Sequence, residues 1–150
     1  MEEFLAAQGL PALFLLSFLA ATLIPLGSEW MLLLLLDRGA EPGLTVAVAT
    51  AGNTLGALTT YLIGRWGGPL LAERVLRMDA ATRRQAEARY ARWGSWSLLL
   101  SWVPVIGDPL CLVGGLLRVP PGRFLLLVGG GKLARYAALA LLAAPALAGP

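Results

Sequence analysis

Four apolar stretches organise the chain, at about 9–36, 43–64, 95–117 and 122–147. A membrane-spanning helix needs about 20 predominantly apolar residues. The second and fourth stretches are long enough and mostly unbroken, so they read as spans. The first and third are interrupted. The first runs from Leu10 to Ile24, meets Pro25-Leu26-Gly27-Ser28-Glu29, and resumes from Trp30 to Leu36. The third runs from Ser97 to Val103, meets Pro104-Val105-Ile106-Gly107-Asp108-Pro109, and resumes from Leu110 to Leu117. Proline removes a helix donor and restrains the residue before it, and glycine weakens a helix further. Each broken stretch therefore predicts a hairpin that enters the bilayer and returns to the same side, the competing reading being one kinked span. The predicted hairpin tips are Pro25, Gly27 and Ser28 in one stretch and Pro104, Gly107 and Pro109 in the other. Irregular backbone at membrane depth is tolerated only where protein or water covers it.

The segment between the second and third stretches is different in kind. Residues 65–92 hold Arg65, Arg74, Arg77, Arg83, Arg84, Arg89 and Arg92, which is seven of the twelve basic residues. Basic loops beside membrane spans stay in the cytoplasm, so this segment is placed there. Apolar spans flank it on both sides, which argues against nucleic acid as its partner. Gly67-Gly68-Pro69 marks a turn, and Leu70, Leu71, Val75, Leu76 and Met78 form a short amphipathic stripe. Asp79 suits an N-cap for a second helix, Ala80 to Trp93. That helix is expected on the membrane surface, with Tyr90, Trp93 and Trp96 at headgroup level. Met1-Glu2-Glu3 lacks the positive start of a secretory leader, so the first apolar run is expected to be retained.

Shifting the sequence by 79 residues aligns landmarks. Pro25 meets Pro104, Glu29 meets Asp108, Pro42-Gly43 meets Pro121-Gly122, and Gly52-Asn53 meets Gly131-Lys132. This predicts a repeat of one hairpin plus one span: 9–64 as the first copy, 65–92 as a cytoplasmic amphipathic connector and 93–147 as the second copy. Each copy crosses once, so the second is inverted relative to the first. Arg118 and Arg123 then join the Arg-rich segment, putting nine of the twelve basic residues on the cytoplasmic side. Four full spans would put that pair outside, against the positive-inside rule. Inverted repeats with broken helices near the midplane are a common transporter build.

Composition narrows the function classes. Of 150 residues, 57% are hydrophobic and 14% charged, with mean hydropathy +0.71. Soluble domains carry roughly 25% charged residues, so an all-α, polytopic membrane protein forming one domain is expected. There is no histidine, and Cys111 is the only cysteine. Histidine acid–base chemistry, intramolecular disulfides and thiolate clusters are excluded. No metal or cofactor is expected, and no enzyme motif stands out.

The ionisable residues in the apolar stretches carry the candidate chemistry. An acid at the bilayer centre costs about 3 kcal/mol on insertion scales. Glu29 and Asp108 must therefore protonate, pair or sit in a polar cavity; each also follows a helix break, where it would match the positive end of the next half-helix. Lys132 and Arg135 lie three apart and share a helix face, pointing into the protein to pair with those acids or to hold a lipid phosphate. Gly129-Gly130-Gly131 permits close backbone approach, and Gly52 and Gly56 read as a packing seam. Asn53 and Thr54 bond across helices or line a cavity. Arg65 snorkels to the cytoplasmic headgroups or receives a lipid phosphate.

The motifs Leu23-Ile24-Pro25-Leu26-Gly27-Ser28-Glu29, Gly52-Asn53-Thr54-Leu55-Gly56, Tyr61-Leu62-Ile63-Gly64-Arg65-Trp66-Gly67 and Ser101-Trp102-Val103-Pro104-Val105-Ile106-Gly107-Asp108-Pro109-Leu110, with Arg118-Val119-Pro120 and Arg123-Phe124, cover roughly 15–136. Together they resemble the DedA (SNARE-associated, VTT-domain) membrane proteins, in their short YqaA-like branch. The resemblance implies two facing re-entrant hairpins in a bacterial inner-membrane protein. It also implies movement of undecaprenyl phosphate or phospholipids, with dependence on protons. The chain departs from the better-studied branch at Asn53, where that branch has an acid, and at Ser101 and Gly107, where it has arginines.

The expected function is transport or flipping of an anionic, phosphate-bearing lipid. Glu29 and Asp108 would respond to protons, and Lys132, Arg135 and Arg65 would serve as phosphate or ion-pair partners. The membrane lipids are the expected partners, and a homo-oligomer is compatible with the pattern. The alternatives are an ion or small-solute transporter in the same fold, or a scaffold that transports nothing.

Overall fold

A computed structural model describes residues 2–22, 27–67, 70, 74, 79–103 and 106–147. Among them every element is helical: α1 (Glu2–Ala20), α2 (Ser28–Asp37), α3 (Pro42–Leu62), α4 (Ala80–Trp93), α5 (Gly107–Leu116) and α6 (Pro121–Leu147). A π-helical turn, Ile63–Gly67, extends α3, and a 3-10 helix, Gly94–Trp102, follows α4. Neither of these was foreshadowed by hydropathy, which reads burial and not the pitch of a helix. Pro25 and Pro104 lie outside the described residues, as do most of the Gly67–Met78 turn and stripe.

Local chemistry sets the boundaries. Pro42 opens α3 with its fixed φ, and the Glu41 side chain caps it by accepting from Gly43 N at 2.8 Å and from Leu44 N. Pro121 opens α6 in the same way. Asp79 caps α4, with Oδ1 accepting from Thr82 N at 2.8 Å. Hydrogen bonding by Thr82 holds this exposed carboxyl below its ordinary pKa.

Part of the second half matches the first at an offset of 79 residues. α2 and α5 start and end 79 residues apart, and so do the starts of α3 and α6. Their C-terminal turns match as well. Arg38 N donates to Leu34 O (3.2 Å), Gly39 N to Leu36 O (3.0 Å) and Ala40 N to Leu35 O (2.9 Å). At the same offset Leu117 N donates to Val113 O (2.9 Å), Arg118 N to Gly115 O and Val119 N to Gly114 O (both 3.0 Å). Both are Schellman turns, which satisfy carbonyls left over at a helix end.

Two apolar clusters result. One gathers Leu13, Leu32, Leu35 and Tyr136 around α2; the other gathers Tyr61, Leu110, Val113 and Phe124 around α5. The helical stretches Pro42–Gly67 and Pro121–Ala146 are long and apolar enough to cross a membrane. At 1.5 Å per residue each reaches about 39 Å, beyond the ~30 Å hydrocarbon core. Trp30, Leu126, Leu141 and Leu142 point outward and are largely exposed, an arrangement suited to lipid contact. α1 seats on α3 where Gly52 and Gly56 lie: a Cβ at Gly52 would fall 2.5 Å from Phe14 O, and one at Gly56 would meet Ala21 Cβ at 2.8 Å. The packing seam expected at these glycines is therefore present.

Candidate functional site

Six elements, α1, α2, α3, the 3-10 helix, α5 and α6, converge on one small polar pocket. Its lining includes Ser28 and Glu29 from the start of α2, Asn53 from the middle of α3, Asp108 from the start of α5, and Lys132 and Arg135 from α6. Ser101 and Val103 close it from the 3-10 helix side. The cavity measures about 20 Å³, room for about one water molecule.

Each charged group is held by specific neighbours. Arg135 forms an ion pair with Glu29 through Nη2 and donates from Nη1 to Trp102 O at 2.7 Å. The side chains of this pair are 21% and 26% exposed. Lys132 is only 3% exposed and donates to Asn53 Oδ1. Asn53 in turn donates from Nδ2 to Ser17 O at 3.1 Å, which fixes its oxygen toward the ammonium. Asp108 lines the pocket but accepts no hydrogen bond from a described residue. Glu29 and Asp108 both occupy the first turn of a helix, where the partial positive charge favours an anion. Two carboxylates and two cations thus share one small, partly enclosed space, and losing Arg135 would leave the Glu29 carboxylate without its partner.

Gly107 makes the approach of the two elements possible. A Cβ there would sit 3.1 Å from Ser101 Cα and closer still to the Ser101 carbonyl. Only a glycine lets the end of the 3-10 helix lie against the start of α5, and that contact brings Asp108 to the pocket.

The VTT domain matches residues 24–144. The chain is 40% identical over 135 residues to proteins named inner membrane protein YqaA in Escherichia coli (strain K12) and in Shigella flexneri, covering 89% of this chain and 90% of each of theirs. The chain belongs to the VTT-domain, or DedA, family. A Haemophilus influenzae protein is 36% identical over 159 residues, covering 97% of this chain and 94% of its own. No solved structure matches.

Of the three positions singled out in the sequence as departures, two line the pocket and the third packs behind its wall. Asn53 holds Lys132, Ser101 lines the wall, and Gly107 packs on Ser101. The structure brings Glu29, Asp108, Lys132, Arg135, Asn53 and Ser28 together. Of the other candidates among the described residues, Arg65, Pro109 and Gly27 lie elsewhere. Arg65 sits at the π turn and donates from Nη1 to Tyr61 Oη at 2.8 Å, while Tyr61 Oη donates to Val119 O at 2.5 Å. Pro109 is buried within α5, and Gly27 precedes α2.

One participant escaped the sequence reading. Tyr136 Oη lies 2.9 Å from Ser28 Oγ in the interior, tying α6 to the start of α2 beside Glu29. Its signal was present: Tyr136 follows Lys132 by four residues, so the two share a helix face.

Proposed function

We propose that this protein carries an anionic, phosphate-bearing lipid across the inner membrane, and that it does so as an inverted repeat of a re-entrant hairpin and a spanning helix. The observation that carries this reading is the bond between Lys132 and Asn53, residues 79 apart that the repeat makes equivalent. In a pair of copies related by a two-fold axis, equivalent residues touch only near that axis. The polar pocket then lies where the two copies meet, as in transporters built from inverted repeats. The matching boundaries and C-terminal turns of α2 and α5 support the same arrangement. In this orientation the Arg-rich segment faces the cytoplasm, in keeping with the positive-inside rule.

Glu29 and Asp108 are the groups that respond to protons, and Arg135 with Lys132 receives the phosphate. The pocket as it stands is too small for a headgroup, so entry requires the Glu29–Arg135 pair to part. Protonation of Glu29 removes its half of that attraction and frees the guanidinium for an anion.

The test is lipid flipping in proteoliposomes, with undecaprenyl phosphate and common phospholipids compared side by side. Glu29→Gln and Asp108→Asn are expected to reduce flipping to the protein-free rate while leaving the helical content intact. Equal flipping by wild type and both variants rejects the proton role. Flux of a water-soluble ion without lipid movement supports a solute transporter instead.

A further inference from the structure

A second cavity lies on the outside of the molecule and shares one lining residue, Arg135, with the polar pocket. It is a trough of about 570 Å³, within the roughly 300–1,000 Å³ typical of sites for organic ligands. Leu99 and Trp102 of the 3-10 helix form one wall. Gly130, Ala134 and Ala138 form the floor, four residues apart along one face of α6, and Leu142 ends it. Small side chains at this spacing leave a furrow where larger ones would close it. Ala134, Ala138 and Leu142 are exposed, so the trough faces the surrounding medium, which for a spanning α6 is lipid.

The charged residue among its lining is Arg135, which also lines the polar pocket. One guanidinium therefore stands at the junction of an apolar trough and a polar chamber. A guanidinium carries five N–H donors. Among the described residues Arg135 directs one to Glu29 and one to Trp102 O, which leaves three for another acceptor. An apolar trough with a cation part-way along it, carrying further donors, matches an amphiphile with an anionic head.

We propose that the trough seats one hydrocarbon chain of an anionic phospholipid, whose phosphate is received by Arg135. This rests on the lipid-carrier reading and adds to it a lateral route, in which the tail stays in the hydrocarbon layer while the head turns inward past Arg135. From Arg135 to Leu142 the floor offers about 10 Å of helix rise, which lies within the ~15 Å depth of one leaflet's hydrocarbon. A second copy of the chain fits less well, because a packed apolar helix would cover the remaining Arg135 donors without offering them an acceptor, and burying an unsatisfied polar group is costly.

The experiment uses the full chain in phosphatidylcholine vesicles containing phosphatidylglycerol with a photoactivatable diazirine on one acyl chain. Adducts are mapped by peptide mass spectrometry. They are expected to concentrate on residues 99–102 and 130–142. Ala134→Phe and Ala138→Phe, both on an exposed face, are expected to lower labelling about tenfold, as is Arg135→Gln, which removes charge-assisted hydrogen bonds. Arg135→Lys retains most of it. Thermal unfolding of each variant confirms that the fold survives. A phosphatidylcholine probe with the same diazirine should label the trough weakly. Adducts spread evenly over other lipid-facing side chains, such as Leu126 and Leu133, would overturn the proposal. So would equal labelling by the two lipids, or cross-links from α6 to α6 of another copy. Lipid movement without trough labelling rejects the trough and leaves the carrier reading. Trough labelling without lipid movement does the reverse.

Discussion

Residues 2–20 form one continuous helix, whereas the stretch 79 positions further on forms two, α4 and the 3-10 helix, which part at Gly94. The segment read from sequence as connector thus contains the counterpart of the start of α1. The difference lies in what the two stretches carry. Arg83, Arg84, Arg89 and Arg92 of α4 stand where the first copy has Phe4, Leu5, Leu10 and Leu13. An arginine-rich helix cannot follow an apolar one into hydrocarbon, so the chain turns at Gly94 before the apolar run begins. The same contrast recurs in the pocket. The acids are duplicated at 29 and 108, but Lys132 and Arg135 answer to Asn53 and Gly56. The backbone keeps the period while the charges break it, which gives the pocket one cationic side.

The largest effect is expected where that broken symmetry is buried. Asn53→Leu leaves the Lys132 ammonium without its acceptor, and stranding a buried charge costs roughly 3–5 kcal/mol. Unfolding in mild detergent, followed by tryptophan fluorescence, should show a loss of this size. Adding Lys132→Met to the same variant should recover most of it, because an apolar pair of similar volume is tolerated far better than half of a polar one. A double variant no more stable than Asn53→Leu alone would mean that Asn53 does not hold Lys132, and the contact taken to mark the junction of the copies would carry no weight.

Much of this was legible in the residues. Proline at 42 and 121, Asp79 before Ala80–Trp93, and the breaks read at 25–29 and 104–109 are local signals; the helices after those breaks start at Ser28 and Gly107, two and three residues earlier than the apolar runs suggested. The helix-face rule also placed Lys132 and Arg135 together. What could not be read was the identity of partners across helices. Hydropathy says that a side chain is buried, not which neighbour it meets, so Asn53 with Lys132, Tyr136 with Ser28 and Tyr61 with Val119 came only from packing. Arg65 shows the same limit. Its charge pointed to headgroups or phosphate, yet a tyrosine four residues earlier takes one of its donors.

The turn between α4 and the 3-10 helix sharpens the comparison of the two arms at intermediate cost. Gly94 has φ 60° and ψ −152°, a region essentially reserved for glycine. The first copy has Leu15 at this position, inside a regular helix. Gly94→Leu should therefore destabilise by about 2 kcal/mol, measured in the same unfolding assay. If it is neutral, the second arm can straighten as α1 does, and the bend is not forced by the backbone.

The smallest effect concerns the two C-terminal turns, whose hydrogen bonds match and whose residues do not. Gly39 occupies the left-handed position after α2 with φ 85°, and Arg118 occupies it after α5 with φ 55°. A side chain in this conformation crowds the following carbonyl and costs roughly 1–2 kcal/mol, which glycine avoids. Arg118→Gly should therefore raise stability by about 1 kcal/mol, after allowance for the greater freedom of glycine in the unfolded chain. Gly39→Ala should lower it by a similar amount. The two measurements together separate backbone from side chain: opposite signs of similar size mean that the turns are energetically equivalent. A loss on Arg118→Gly would mean that the arginine makes a contribution that outweighs its strain. In that case an anionic lipid headgroup is the partner to look for, and repeating the measurement in vesicles with and without phosphatidylglycerol would show whether the loss follows the anionic lipid.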